Sequence, residues 1–246
     1  MLKDAYAELT DRVGEAAQRS GRAAEEVMVV AVTKYSEMSQ VRAMLDLGHM
    51  DFGENQGQQL AQRVPQANEF LTRKQQLDSR GDTPDRIRWH MVGHLQRNKV
   101  KQVVPHVNLI HSVDSLRLVE ELHGFGNKTD SVVDILLQVN VSGEATKHGI
   151  VPPAVRHLVD QIDLMLHLRL RGLMTMAPYS ENPEDARDVF KRTRELFEET
   201  QALDSSGNQF NILSMGMSGD YAVAIEEGSN CVRIGRALFG EQPPDA

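Results

Sequence analysis

Short runs of apolar and β-branched residues alternate along the chain with longer segments in which apolar residues recur at helical spacing. The apolar runs are five to eight residues long, which is the length of a buried strand. We predict eight strands, at residues 27–32, 49–53, 87–92, 107–112, 132–139, 168–173, 210–214 and 230–234. A helical pattern follows each of them, so the chain repeats one strand-and-helix unit.

Several of the helical segments begin with recognisable start signals. Asp114 precedes one segment, Pro152 and Pro153 precede another, and Asn182 with Pro183 precedes a third. Strict alternation of strand and helix predicts a parallel sheet with right-handed crossovers. Eight repeats favour a closed barrel over an open doubly wound sheet. The predicted fold is therefore α/β, a single (β/α)8 TIM barrel with an extra N-terminal helix.

Two segments do not fit the regular repeat. Six residues follow Gly240, so the eighth helix must be very short, or the helix before the first strand takes its place. Residues 71–86 are polar, charged and turn-rich, which predicts a solvent-exposed surface extension between the second helix and the third strand. Because no linker divides residues 1–246, we predict one domain.

Composition and charge limit the classes of protein to which the chain can belong. Of its 246 residues, 40% are hydrophobic and 25% are charged, which is typical of a globular protein. The formal net charge of −8 argues against a nucleic-acid partner, and the longest apolar run, residues 27–32, is far too short for a membrane span. The single cysteine, Cys231, excludes an internal disulfide and suits a reducing compartment, so we expect a cytoplasmic protein.

Polar residues follow the predicted strands at their carboxyl ends, where active groups lie in a barrel. Lys34 follows the first strand, and Asn55 follows the second. An ammonium group at the end of a buried strand is costly to desolvate unless it is paired or used chemically. Lys34 alone leaves two interpretations open. It is either a side chain that extends to water or a nucleophile that forms a Schiff base with an aldehyde.

The last quarter of the chain adds two loops that contain glycine. The loop Ser214–Asp220 follows the seventh strand, with Ser218 placed to cap the next helix, and Arg233–Arg236 ends the eighth strand. Glycines let a backbone approach a ligand closely, and many barrels bind phosphate with the loops after strands seven and eight. Either loop alone is most simply an ordinary strand-to-helix turn. Together with Lys34, the two loops predict a pocket for pyridoxal 5′-phosphate (PLP).

Seven blocks of sequence, in consistent order over residues 27–240, resemble the pyridoxal phosphate homeostasis proteins, an alanine-racemase-like family of fold type III. The blocks are VAVTKYSE, DFGENQGQQL, WHMVGHLQRNKVK, HSVDS, VNVSGEATKHGI, RGLMTMAPY and SMGMSGDYAVAIEEGSNCVRIGRALFG. The resemblance implies a TIM barrel that holds PLP as a Schiff base, a covalent aldimine, on Lys34. It implies that the other cofactor-binding residues are Asn55, Ser214, Met217, Ser218, Arg233, Gly235 and Arg236.

Arg233 carries a chemical expectation of its own. The resemblance places its guanidinium beside the pyridine nitrogen of the cofactor. A guanidinium does not readily give up a proton, so it keeps that nitrogen unprotonated and weakens the ring as an electron sink. Carbanion chemistry would then be muted. The alternative interpretation of Arg233 is a structural ion pair at the end of the barrel.

Two functions are compatible with such a pocket. One is PLP homeostasis, in which the protein binds PLP and supplies it to apoenzymes without strong catalytic activity; the other is a PLP-dependent amino-acid racemase. Two-base racemisation needs an acid/base group on each face of the substrate carbon. In the racemases that the chain resembles, a tyrosine of an additional C-terminal domain supplies the second group, and here six residues follow Gly240. We therefore expect a carrier, a monomer or weak homodimer that contacts apoenzymes transiently.

Two other groups of residues could carry chemistry. His90 and His94 have the spacing of two metal ligands on a helix, but they follow a strand and lack the glutamate of a HExxH zinc site. We therefore predict no metal site. Arg97, Lys99 and Lys101 form a basic cluster that could attract an anion or RNA. Because no aromatic residue that could stack on bases is nearby, a solvated helix face is favoured.

Overall fold

The computed structural model describes residues 1–78, 83–144, 147–203 and 209–240. In this part of the chain, eight parallel strands pair in sequence order, and the eighth pairs with the first, so the sheet closes into a barrel. The strands are β1 (Met28–Val32), β2 (Asp51–Glu54), β3 (Arg88–Met91), β4 (Leu109–Val113), β5 (Val133–Gln138), β6 (Leu168–Met174), β7 (Ile212–Ser214) and β8 (Cys231–Ile234).

All eight predicted strands are confirmed, and each boundary lies within two residues of the prediction. The α-helices between them complete a (β/α)8 TIM barrel, and none in the described residues is long and apolar enough to cross a membrane. They are α1 (Leu2–Arg19), α2 (Met38–Asp46), α3 (Gly57–Leu77), α4 (Val100–Val103), α5 (Leu116–Thr129), α6 (Pro152–Ile162), α7 (Arg187–Gln201), α8 (Tyr221–Glu226) and α9 (Arg236–Phe239).

The ring of helices closes in both of the ways that the sequence left open. The eighth helix of the repeat, α9, is a single turn of four residues. The N-terminal helix α1 packs against α8 and α9 and covers the gap beside them. Its buried face consists of Leu9, Val13, Ala16 and Ala17, at the spacing of one helical stripe. The short α9 is therefore compensated by a helix from the other end of the chain.

The predicted surface extension begins later than the sequence indicated. Residues 71–77 are not an irregular loop, because they form the last two turns of α3. Leu71 is buried, since it continues the apolar stripe of Leu60, Val64 and Ala67 at helical spacing. Residues 79–82 lie outside the described residues.

The main apolar core lies between the strands and the surrounding helices, and the barrel interior has a different composition. On β4, Ile110 belongs to the main core, whereas Leu109 and His111 share the opposite face of the strand. Leu109 forms a separate apolar cluster with Leu136 and Met174. His111 is fully buried but polar. The barrel interior is therefore partly apolar and partly polar, and its polar part leads to the site described below.

Cys231 lies on β8 and is fully buried. Burial raises the pKa of its thiol to about 11, so the thiol stays protonated at neutral pH. The cysteine therefore behaves as a small apolar side chain.

Candidate cofactor site

The carboxyl ends of the strands surround a cavity of about 510 Å³, a size typical of small-molecule sites. The loops after β1, β2, β7 and β8 all contribute to its wall, as the sequence predicted. Seven of the eight predicted site residues line the cavity: Lys34, Asn55, Met217, Ser218, Arg233, Gly235 and Arg236. The fold therefore brings together residues from the first and last quarters of the chain.

Lys34 lies in the turn after β1, and hydrogen bonds to β2 hold this turn. The hydroxyl of Thr33 donates to Glu54 Oε1 at 2.5 Å, and the backbone N–H of Thr33 donates to Gly53 O at 2.9 Å. Lys34 Nζ lies 4.6 Å from the ring centroid of Tyr35. The side chain of Lys34 is half-buried, so its amine is held at the cavity wall rather than extended into solvent.

Glu54 is a fully buried carboxylate that contacts the turn carrying Lys34 through the hydroxyl of Thr33. Its Oε1 forms an ion pair with Arg63 Nε at 3.0 Å, and Arg63 Nη2 donates to Ser36 O at 2.6 Å. Burial raises the pKa of Glu54, while the hydrogen bond from Thr33 and the charge of Arg63 oppose that rise. Arg63 thus ties α3 to the turn that carries Lys34.

Hydrogen-bond donors cluster where the loops after β7 and β8 border the cavity, beside the turn that carries Lys34. Ser218 Oγ accepts from the backbone N–H of Gly235 at 3.3 Å and from that of Ala237 at 3.2 Å. Within the described part of the chain, the backbone N–H groups of Ser218, Gly219 and Arg236 have no protein acceptor. Adjacent free amides beside an arginine side chain form a suitable site for a phosphate group.

The prediction that Ser218 caps the helix after β7 is wrong. Asp220 is the residue that precedes α8, and its Oδ1 accepts from the Met217 N–H at 2.6 Å. Ser218 instead bonds to amides after β8, so it joins the two loops that face the phosphate side of the cavity. Asp220 also lines the cavity, and burial raises its pKa. The acidic residue directly before α8 was the sequence signal for the true cap position.

Arg233 lies on β8 and is only 5% exposed. Its Nη1 donates to Ser214 Oγ at 2.7 Å, and its Nη2 donates to Thr175 O at 2.9 Å. No carboxylate of the described residues is within ion-pair distance, so a direct ion pair does not hold this guanidinium. Burial lowers the pKa of Arg233. A buried cation without an adjacent anion is typical of a binding site.

Ser214 is the one predicted site residue that does not line the cavity. It is the last residue of β7 and is fully buried. Its hydroxyl lies between Arg233 Nη1, at 2.7 Å, and His111 Nδ1, at 2.9 Å. Ser214 therefore contacts Arg233 from inside the barrel, because the last residue of a short strand still points toward the barrel interior.

The segment after β6 forms a wall of the cavity that sequence reasoning missed. Pro178, Tyr179, Ser180 and Asn182 line this side, and Tyr179 is 81% exposed. The block RGLMTMAPY ends here, directly after a strand. The positional rule that identified Lys34 also marks the end of β6, but the wall of the cavity extends several residues beyond that end.

The structure separates His90 from His94. His90 is buried inside the barrel, whereas His94 lies near the surface with its Nδ1 3.2 Å from Asp114 Oδ2. His148 Nδ1 is 3.5 Å from the same oxygen. The rings of His94 and His148 stack at 19°, and one ligand atom each of His94, Asp114 and His148 lies within 4.8 Å of the others. The absence of a metal site stays a prediction.

Asp51, at the amino end of β2, forms a bidentate ion pair with Arg88. The Nε of Arg88 donates to Asp51 Oδ1 at 2.6 Å, and its Nη2 donates to Oδ2 at 2.5 Å. Burial acts to raise the pKa of Asp51, but hydrogen bonds from His90 and Arg88 outweigh it and lower the pKa to about 2. The pKa in the folded protein is below the ordinary value of 3.8. The carboxylate therefore stabilises the fold above that value, by about 2 kcal/mol, and this contribution is lost as the pH falls toward 2.

Asp51→Asn is expected to lower the free energy of unfolding by about 2 kcal/mol near neutral pH, because it removes the charge that Arg88 and His90 stabilise. The difference between wild type and variant should shrink as the pH falls below about 4, where the wild-type carboxyl loses its advantage. Urea titrations at neutral pH and at about pH 3 measure both values. A difference that is the same at both pH values would contradict the assignment of the low pKa to Asp51.

The chain is similar to a known protein family and to several solved structures. Residues 10–243 match the family model described as alanine racemase, N-terminal domain. A pyridoxal phosphate homeostasis protein of Aquifex aeolicus is 37% identical over 236 residues, which are 94% of each chain. The crystal structure of an unknown protein from Bifidobacterium adolescentis matches with a TM-score of 0.86 and 32% identity, over 97% of this chain and 94% of that one. The structure of PipY from Synechococcus elongatus with PLP bound matches with a TM-score of 0.73 and 30% identity, over 92% of this chain and 100% of that one.

Proposed function

This chain belongs to the family of pyridoxal phosphate homeostasis proteins, and from that membership we propose that it binds PLP in the cavity and supplies it to apoenzymes in the cell. One observation carries the proposal. An amine, a group of free amides and a buried guanidinium face a single cavity, and they match the aldehyde, the phosphate and the pyridine nitrogen of PLP. The buried, protonated Cys231 is consistent with a cytoplasmic location.

Lys34 is the residue that we assign to covalent binding. It is the only lysine in the described wall of the cavity. PLP supplies an aldehyde, and a primary amine at this wall condenses with an aldehyde to a Schiff base with release of water. The hydrogen bonds from Thr33 to β2 fix the backbone beside Lys34, so the amine is presented at one position. A Schiff base is reversible by water, which suits a carrier.

The phosphate would lie against the loops after β7 and β8. Ser218, Gly219 and Arg236, whose backbone amides are free, all line the cavity, and an anion can accept from several amides at once. Among the described residues, three cationic side chains line the cavity, Lys34, Arg233 and Arg236, against one acidic side chain, Asp220. This excess of positive charge attracts a phosphate dianion.

Arg233 would mute the carbanion chemistry of a bound PLP. Its guanidinium would face the pyridine nitrogen and donate a hydrogen bond to it, which keeps that nitrogen unprotonated. Without a proton on the nitrogen, the ring is a poor electron sink for a carbanion. The side chain that anchors PLP in this position therefore also suppresses the chemistry that most PLP enzymes perform.

A PLP-dependent racemase is the second candidate, and two tyrosines give it a structural basis. Tyr35 and Tyr179 both line the cavity, and either phenol could act as an acid/base group in addition to the amine of Lys34. Overnight incubation of the PLP-loaded protein with single L-amino acids, followed by chiral analysis, distinguishes the two functions. Turnover at ordinary enzymatic rates, lost in Tyr35→Phe or Tyr179→Phe, would overturn the carrier.

A transfer assay tests the carrier directly. The PLP-loaded protein is freed of unbound PLP and then mixed with an apo-aminotransferase, or separated from it by a membrane that passes PLP but not protein. Direct contact is expected to activate the apoenzyme faster than diffusion of released PLP across the membrane. Equal rates of activation, after correction for diffusion of a free PLP standard, would show that the protein does not hand PLP to the apoenzyme.

A further inference from the structure

A chain of five polar side chains crosses the interior of the barrel from its amino face to its carboxyl face. Asp51 Oδ1, at the start of β2, lies 3.3 Å from His90 Nε2. His90 Nδ1 lies 2.9 Å from His111 Nε2, and His111 Nδ1 lies 2.9 Å from Ser214 Oγ. Ser214 Oγ lies 2.7 Å from Arg233 Nη1, in the wall of the cofactor cavity. The polar part of the barrel interior is thus one continuous hydrogen-bonded chain.

With both imidazoles neutral, the two ends of this chain determine which atom donates at each link. The guanidinium of Arg233 can only donate, and the carboxylate of Asp51 can only accept. His90 then donates from Nε2 to Asp51 and accepts at Nδ1 from His111 Nε2. His111 Nδ1 accepts from Ser214 Oγ, which itself accepts from Arg233. All four hydrogen bonds then point the same way, from the cation to the anion, with Nε2 protonated on both rings.

Because the middle members of this hydrogen-bonded chain are buried, the loss of any one hydrogen bond is costly. His90 is 2% exposed, and His111 and Ser214 are fully buried, so none of them can replace a lost partner with bulk water. Burial lowers the pKa of His111 and so favours a neutral imidazole, as the stated direction of the hydrogen bonds requires. The carboxylate of Asp220 acts on the Arg233 guanidinium through space, whereas the chain connects the guanidinium to the carboxylate of Asp51 by hydrogen bonds.

We propose that Asp51 positions Arg233 for the cofactor through this hydrogen-bonded chain, although the two residues lie toward opposite faces of the barrel. The inference rests on the proposed function, since it assigns a role to residues behind the PLP site. Thr175 O also accepts from Arg233 but carries no charge. Asp51 supplies the negative end, and it borders a second cavity of about 590 Å³ at the amino face. Changes at that cavity are therefore transmitted to the PLP site.

Asp51→Asn tests the proposal, with Asp134→Asn as the matched control. Asp134 lies near the amino end of β5 and forms ion pairs with Arg171 at 2.9 Å and Arg169 at 3.5 Å. It takes no part in the hydrogen-bonded chain. PLP is titrated into each variant and followed by its visible absorption. Asp51→Asn is expected to weaken PLP binding about tenfold and to shift the absorption band, because the guanidinium loses its fixed orientation. Asp134→Asn should bind PLP within about twofold of wild type.

A second measurement does not depend on PLP. The ¹⁵N shifts of the histidine rings report which nitrogen carries the proton, and wild type is expected to show neutral, Nε2-protonated rings for His90 and His111. Asp51→Asn should change the shifts of both rings, and Asp134→Asn should change neither. Dispersed amide spectra establish that each variant folds. If Asp51→Asn does not fold, His90→Gln interrupts the chain one link further in and replaces it.

The outcomes separate the two proposals. If the wild type does not bind PLP, the proposed function fails, while the ring shifts still decide whether the chain has the stated direction. If PLP binds but Asp51→Asn and Asp134→Asn have the same affinity and absorption band, the positioning role of Asp51 is overturned. Charged or Nδ1-protonated rings in the wild type would also overturn it.

Discussion

Lys34→Ala is expected to abolish the covalent binding of PLP completely. Lys34 is the only lysine in the described wall of the cavity, and alanine has no amine to condense with an aldehyde. The purified wild type should be yellow, and the variant should be colourless. Borohydride reduction of the wild type, followed by peptide mass analysis, should place the pyridoxyl group on Lys34.

Two control variants isolate the cause of this loss. Lys34→Arg retains a positive charge at the cavity but cannot form the Schiff base, so it should also be colourless. Lys101→Ala removes an exposed lysine of the basic cluster and should keep the colour of the wild type. Recovery of the pyridoxyl group on a lysine other than Lys34 in the reduced wild type would rule out the assignment.

Gly172→Ala is expected to have the largest effect on stability. Gly172 lies on β6 with a φ of +148°, and a Cβ added there would lie 1.8 Å from the carbonyl oxygen of Ile212 on β7. The obstacle is backbone in the neighbouring strand, so no side-chain rotation can relieve it. We expect the free energy of unfolding to fall by about 3–5 kcal/mol, which urea or thermal unfolding would measure.

Gly124→Ala is the matched control for this substitution. Gly124 lies inside α5, and a Cβ there would have no neighbour within 4 Å. Because alanine favours a helix more than glycine does, the free energy of unfolding of Gly124→Ala should be higher than that of the wild type by about 0.5–1 kcal/mol. If Gly172→Ala is as stable as the wild type, β6 and β7 do not approach each other as closely at this position as the structure shows.

The fold was predictable from the sequence because its signal is local and repeated. A short apolar run predicts each strand, and the number of such runs predicts the barrel. Lys34 and Arg236 were found by the same reasoning, since the ends of parallel strands meet at one face. The extent of α3 was misjudged because residues 71–77 are polar overall, and the single buried position, Leu71, is the only apolar contact that continues the stripe there.

The chain from Asp51 to Arg233 could not be predicted in the same way. Its members lie on β2, β3, β4, β7 and β8, and they meet only after the barrel has closed. His90 and His111 each follow an apolar residue within an ordinary strand pattern, so nothing local marks them as partners. The role of Ser218 was missed for a related reason, because its hydroxyl bonds to amides after β8, which are distant in sequence. The cap position of α8 itself was marked locally, by Asp220 directly before the helix.

The contact between Ser218 and the loop after β8 has a consequence for release of the cofactor. The Ser218 hydroxyl accepts from two backbone amides, those of Gly235 and Ala237, next to the free amides that suit a phosphate. The phosphate would take the free amides of Ser218, Gly219 and Arg236, so the two bonds to the Ser218 hydroxyl need not break when it binds or leaves. These two bonds keep the loops after β7 and β8 joined after the phosphate has departed. The site therefore keeps its shape without the cofactor, which suits a protein that releases its cargo and takes up another.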